Sequence, residues 1–248
     1  MFNTVYDYKA FYDTPAGAMA GRILRAHICA IWPDRANLDI MGYGYGVPYM
    51  DLFTAHNSHF YACIPGAMGI ITSVEDGTRY NNVCLVHEDK LPLVDQAVDR
   101  ILLMHSLEHA VDPQALLAEC WRVLKGNGRL LVIVPSRAGL WSRADWSPFG
   151  AGAPYSLAQL ERSLRACHFC IELREEALFM PPLRKEFFVN RGLLFERVMR
   201  YVMPLLAGVH MVEVSKQLFA GVPPQGGSRA VVTNTPIFVP KPAGIPAS

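Results

Sequence analysis

The chain has 248 residues, of which 51% are hydrophobic and 18% charged, and its formal net charge is +1. This length and balance suit one well-packed domain and exclude a disordered chain. Near-neutral charge, scattered basic residues and the lack of a basic-aromatic stripe argue against nucleic acid as a partner.

A helix is predicted from Phe11 to Trp32. Thr14-Pro15 offers a cap and a first-turn proline, and Ile23, Leu24, Ile28 and Ile31 recur at helical spacing. Pro33-Asp34 stops it. Leu38 to Met41 reads as a first strand running into Gly42-Tyr43-Gly44-Tyr45-Gly46, with a helix from Pro48 to about His56. Further strands are expected at His59–Ile64, Val83–Val86, Arg100–Met104 and Arg129–Val134. Between the last two, Leu116, Leu117, Cys120, Val123 and Leu124 mark one face of a helix that stops at Lys125-Gly126-Asn127-Gly128. Ser156 caps a helix through Leu164, and a sixth strand lies at Ile171–Leu173 or runs on to Phe179. A helix at 191–206 and a strand at Val209–Val214 follow. Leu193, Leu194, Val198, Tyr201, Val202 and Leu205 give that helix a broad apolar face, suited to the core or a dimer interface.

Strands alternating with helices imply an α/β fold, a doubly wound sheet with helices on both faces. The domain is expected to span 1–221, with a flexible Pro/Gly-rich tail at 222–248.

Six cysteines lie scattered in apolar segments, and only Cys167 and Cys170 form a C-x-x-C. Without a βα context or a second ligand pair, buried reduced thiols are expected rather than a redox or zinc site. Asp7, Lys9 and Asp13 interrupt the start and no apolar run follows, so no signal peptide is expected. The 192–208 stretch carries Glu196, Arg197 and Arg200 and is broken by Pro204, which rules out a plain membrane span. A cytoplasmic protein is the default. His105 and His109 have two-ligand spacing, but no third ligand is suitably placed and no metal is expected. Glu108-His109 instead orders the turn before the helix at Pro113.

Spaced glycines after a strand let the backbone turn tightly and approach a ligand. The G-x-G-x-G spacing differs from that of dinucleotide binders. Leu91-Pro92-Leu93, Asp99 to Leu103, Leu107-Glu108-His109, Trp121 to Lys125 and Gly128 to Val132 then follow in order. This succession resembles the class I S-adenosylmethionine (SAM)-dependent methyltransferases, especially the ubiquinone-biosynthesis-like, methyltransferase type 11 group. The resemblance covers roughly Leu38 to Pro135, and Val212 to Lys216 resembles the family's last strand.

The resemblance implies a single Rossmann-like domain with a seven-stranded, mostly parallel sheet whose last strand is antiparallel. It implies SAM as cofactor, transfer of a methyl group to a small-molecule acceptor, and site residues by position. Gly42, Gly44 and Gly46 would lie against the amino-acid and ribose parts, Glu88 or Asp89 at the adenine, and Met104, His105 and Ser106 on the methionine side. Tyr43 and Tyr45 would face the sulfonium or pack against neighbouring loops. His105 and Asp145 are the candidate bases. Two acids of the family pattern are missing: Ile40 stands two places before the first glycine, and Tyr61 to Pro65 carries no carboxylate. A catalytically silent protein of this fold that binds another protein is therefore the alternative. The loop after the fifth strand is expected to form a lid or partner surface from Trp141, Arg143, Asp145, Trp146 and Tyr155.

Overall fold

The first 32 residues hold two helices rather than one. The computed structural model describes residues 2, 4–54, 56–69, 82–87, 90–182, 192–203 and 206–217. Helices α1 (Val5–Tyr12) and α2 (Pro15–Ile31) are separated at Asp13-Thr14. Pro15 has no N–H to continue the ladder, and it drives Thr14 to extended backbone, where the hydroxyl caps α2 by accepting from Gly17 N at 3.1 Å. The helices meet closely at Gly17, where a Cβ would lie 2.0 Å from Phe11 O. Helix α1 has its own start signal, a reciprocal capping box between Thr4 and Asp7.

The sheet contains β1 (Asp39–Gly44), β2 (His59–Pro65), β3 (Val83–Val86), β4 (Val98–Met104), β5 (Leu124–Pro135), β6 (Cys170–Ala177) and β7 (Val209–Ser215). Their order is β3-β2-β1-β4-β5-β7-β6. Strand β7 runs antiparallel to both of its neighbours, and the other pairings are parallel. The expected doubly wound α/β sheet with a reversed last strand is observed, with β7 between β5 and β6.

The remaining helices are α3 (Asp51–Thr54), α4 (Pro113–Val123), α5 (Leu157–Ala166) and α6 (Gly192–Val202). In place of the predicted Pro48–His56 helix there is a 3-10 turn at Val47–Tyr49 and the single turn of α3. The stop expected at Lys125–Gly128 belongs to β5, which begins at Leu124 directly after α4. Lys216 makes that junction: its Nζ donates to Trp121 O and Leu124 O, the open carbonyls at the helix end, at 2.6 and 2.8 Å. Its backbone bonds Asn127 and Gly128.

One sheet face packs on α2, with Ile23, Leu24, Ile28 and Trp32 against Ile40, Phe60, Leu102 and Met211. The other packs on α4 and α5, with Leu116, Leu117, Cys120, Leu160 and Leu164 against Met41, Tyr43, Ile101 and Val132. Each fully buried Leu or Ile contributes roughly 1.5–3 kcal/mol. On α6, Val198, Tyr201 and Val202 are exposed, which excludes the core and leaves the dimer interface of the two places the sequence suggested. Met1–Leu218 form one compact unit, and the predicted tail from residue 222 lies outside the described residues. Among the described residues no helix is long and apolar enough to cross a membrane.

Candidate cofactor site

Open parallel sheets bind ligands beyond the carboxyl ends of their strands. At that edge β1 turns on Gly44, whose φ is +87°. A Cβ there would lie 2.2 Å from Met104 O, and Tyr45 N donates to the same carbonyl at 2.9 Å. Gly42 points to the α2 face, where the Phe60 ring fills the space a side chain would need: Cζ lies 2.3 Å from a built Cβ. The two glycines thus let the chain's own β4 and Phe60 approach β1. The Met104 side chain is core.

Helix α1 lies across this turn. Tyr45, 3% exposed, is stacked between Tyr8 and Tyr12 with ring centroids at 5.3 and 5.6 Å. The Tyr12 hydroxyl meets His105 Nε2 at 2.9 Å, and the Tyr8 hydroxyl meets His109 Nε2 at 3.1 Å. Burial pushes both phenols well above their ordinary value, so they remain protonated. His105 is buried with φ +51°, and its Nδ1 faces Glu108 Oε1 at 3.5 Å. Burial lowers its pKa, an effect that Glu108 opposes in part. A neutral ring with its proton on Nδ1, toward Glu108, leaves Nε2 to accept from Tyr12. The other Glu108 oxygen accepts from Ser106 N at 3.1 Å, so this carboxylate does order the turn after β4.

Beside this cluster lies a cavity of about 310 Å³, bounded by Tyr8, Tyr43, Pro65, Met68, His105, Ser106 and Leu116 among others. That is near the lower end of ligand pocket volumes. Ser106 Oγ is buried at this wall with no hydrogen-bond partner among the described residues. A slot of this size with a largely apolar wall fits the nucleoside half of SAM. No carboxylate lines it among the described residues. Asp39 lies at the far end of β1, bonded to His59 and Lys125, while Ile40 is buried against α2. Glu88 and Asp89 lie outside the described residues. Tyr45, between Gly44 and Gly46 where the amino-acid half is expected, is itself covered by Tyr8 and Tyr12. With α1 in this position the residues fit half of the cofactor.

The sequence did not single out α1, although Thr4-x-x-Asp7 before Tyr8 and Phe11 was the signal that could have found it. The residues proposed as one lid do not share one surface, although the Trp141 and Trp146 rings meet with centroids 6.3 Å apart. Trp141 is core, its Nε1 donating to Met180 O at 2.6 Å. Arg143 is exposed, and the Tyr155 hydroxyl donates to Leu107 O at 3.3 Å. Asp145 and Trp146 line a separate cavity with Asp7, Phe11 and Thr14. The two candidate bases, His105 and Asp145, therefore face different cavities.

The fold and its ligand edge are those of a Rossmann-like α/β protein. Residues 39–132, β1 through most of β5, match the family described as a methyltransferase domain. Two probable SAM-dependent methyltransferases from strains of Mycobacterium tuberculosis are 37% identical over 62 residues, which is 24% of this chain and 23% of theirs. The matched stretch is thus under a quarter of those relatives' length. A solved Thermotoga maritima SAM-dependent methyltransferase, a possible histamine N-methyltransferase, superposes with a TM-score of 0.60 at 15% identity, covering 86% of this chain and 96% of that one. A Haloferax volcanii protein in complex with the Trm112 methyltransferase activator gives 0.57 at 15% identity over 85% and 97%. The [4+2]-cyclase SpnF gives 0.56 at 18% over 80% and 81%. Over residues 39–132 the chain is thus similar to the methyltransferase-domain family, and the solved structures share its fold.

Proposed function

We propose that this protein binds SAM at the carboxyl edge of β1, β2 and β4 and transfers its methyl group to a small-molecule acceptor in the cytoplasm. The observation that carries the reading is the cavity at that edge, with Tyr43, Pro65, Met68 and Ser106 of the family-matching segment in its wall. Tyr43, Pro65, Met68 and Ser106 hold the nucleoside half. The amino-acid half reaches Gly44 and Gly46 once Tyr8 and Tyr12 move off Tyr45, so α1 acts as a cap on the site. Bound SAM supplies an electrophilic methyl group.

When Tyr12 leaves, His105 Nε2 is freed beside the cavity. A neutral imidazole can take a proton from an acceptor oxygen or nitrogen, and burial keeps His105 neutral at pH 7. His105 is the better candidate base, because Asp145 opens into the other cavity. The test is calorimetric titration of the full chain with SAM and S-adenosylhomocysteine, followed by labelled methyl transfer in a lysate. Saturable binding lost in Gly44→Arg supports the reading. Absence of binding at high ligand concentration overturns it. The covered glycine turn and the missing carboxylates would then favour the second reading, a silent protein of this fold that holds a protein partner.

A further inference from the structure

Cys63 on β2 and Cys84 on β3 stand directly opposite each other in the parallel ladder. Residues in register on adjacent strands project from the same sheet face. Their Sγ atoms are 3.6 Å apart, and both thiols are free. Neighbouring strands lie about 4.8 Å apart, inside the roughly 4.4–6.8 Å Cα window that a disulfide requires. To bond at about 2.05 Å the sulfurs need to close by only about 1.5 Å, within reach of side-chain rotation.

The two thiols differ in access. Cys63 is 1% exposed among the residues that pack on α4. Cys84 is half-buried on β3, the terminal strand of the sheet, next to Leu85, which is 47% exposed. An oxidant from solvent meets Cys84 first. With Cys63 donating its S–H, a thiolate on Cys84 is stabilised and that thiol is brought down, while the same bond and burial push Cys63 up. The outer sulfur is therefore the nucleophile and the inner one its reserve of thiol. The C-x-x-C singled out by the sequence is a different arrangement, since Cys167 Sγ donates to Gln114 Oε1 at 3.0 Å.

We propose that Cys63 and Cys84 form a peroxide-sensitive modification site that closes reversibly to a disulfide between β2 and β3. The Cys84 thiolate attacks one peroxide oxygen, the O–O bond breaks, Cys84 becomes a sulfenic acid, and the departing hydroxide takes up the proton the Cys84 thiol had released and leaves as the first water. The Cys63 sulfur then attacks the Cys84 sulfur, the S–O bond breaks, and hydroxide departs with the Cys63 proton as the second water. Two thiols are oxidised and one peroxide is reduced to two waters. A dithiol reductant restores both thiols.

The full chain permits a direct test. Trypsin cleaves after Arg35, Arg79 and Lys90, so Cys63 and Cys84 fall on separate peptides with one cysteine each. The native protein is treated with hydrogen peroxide, its remaining thiols are alkylated, and the digest is read by mass spectrometry. The expected product is the two peptides joined, lighter by two hydrogen atoms than their sum and separated by dithiothreitol. Cys63→Ser, which keeps the size of the side chain, should instead accumulate a Cys84 sulfenic acid that dimedone traps. Cys84→Ser should leave Cys63 alkylatable at the same dose. Both cysteines remaining alkylatable while other thiols oxidise would overturn the proposal, as would a crosslink of either one to a different cysteine. The readout is independent of SAM, so its failure is separate from failure of the methyltransferase reading.

Discussion

If α1 covers the amino-acid half of the SAM site, weakening the cover should tighten SAM binding. The closed arrangement rests on two stacked pairs at Tyr45 and on the Tyr12–His105 and Tyr8–His109 hydrogen bonds. Each stack or bond contributes about 0.5–1.5 kcal/mol, so the cover is held by about 2–6 kcal/mol. Apparent affinity falls by the fraction of molecules that are open. Tyr12→Phe keeps the stack and deletes the hydroxyl's bond to His105 at 2.9 Å together with its long contact to Tyr49 at 3.4 Å, removing about 1 kcal/mol from the closed form only. That predicts SAM affinity about 5-fold tighter than wild type. Tyr8→Phe should act alike, and the double variant should gain about 25-fold, the two bonds being separate. Titration calorimetry of the full chain with SAM measures all three. Equal or weaker binding by Tyr12→Phe, with wild type saturable, would refute the cap, since in that case the tyrosines do not stand in the ligand's way.

Three further outcomes follow from the packing. Gly42→Ala puts a Cβ into the Phe60 ring and should cost about 1–3 kcal/mol in urea unfolding. Phe60→Leu in the same chain should return part of that loss, and strictly additive effects would disprove the clash. His27 is buried and pushed down to about 4, first by burial and then by Arg200, which also engages the nearby Glu175. Its folded pKa lies below the unfolded value of about 6.5, so its contribution is complete above pH 6.5 and declines as pH falls toward 4. About 2 kcal/mol should disappear from this group between pH 8 and pH 5, and an unchanged pH slope in His27→Gln urea titrations would exclude it. Glu213 is buried on β7, accepting from Trp32 Nε1 at 2.8 Å and from Arg129 at 3.1 Å. Glu213→Leu strands that indole N–H and should cost about 2–3 kcal/mol, read as a lower thermal midpoint; no loss would contradict the assigned role.

What the sequence determined by itself is local. Thr14-Pro15, Asp112-Pro113 and Ser156 carry their helix starts in their own chemistry, since each cap bonds an N–H two or three residues on. Apolar runs such as Ile101–Met104 and Leu130–Val134 are strands because both sheet faces are covered, and their order with the glycine turn carried the resemblance to a methyltransferase domain. Tertiary structure decided what each residue faces. Tyr45 lies between two tyrosines from a helix more than thirty residues earlier, and the glycines spaced as for a ligand receive Phe60 and Met104 O instead. Trp141 reads as a loop residue, but the Met180 carbonyl and the core hold it inside. Cys63 and Cys84 meet only because β2 and β3 pair in one particular register, and a slip of one residue would send the two thiols to opposite faces. Caps and periodicity depend on neighbours within a turn, whereas a site forms where distant segments close, and that is fixed by the packing of the whole sheet.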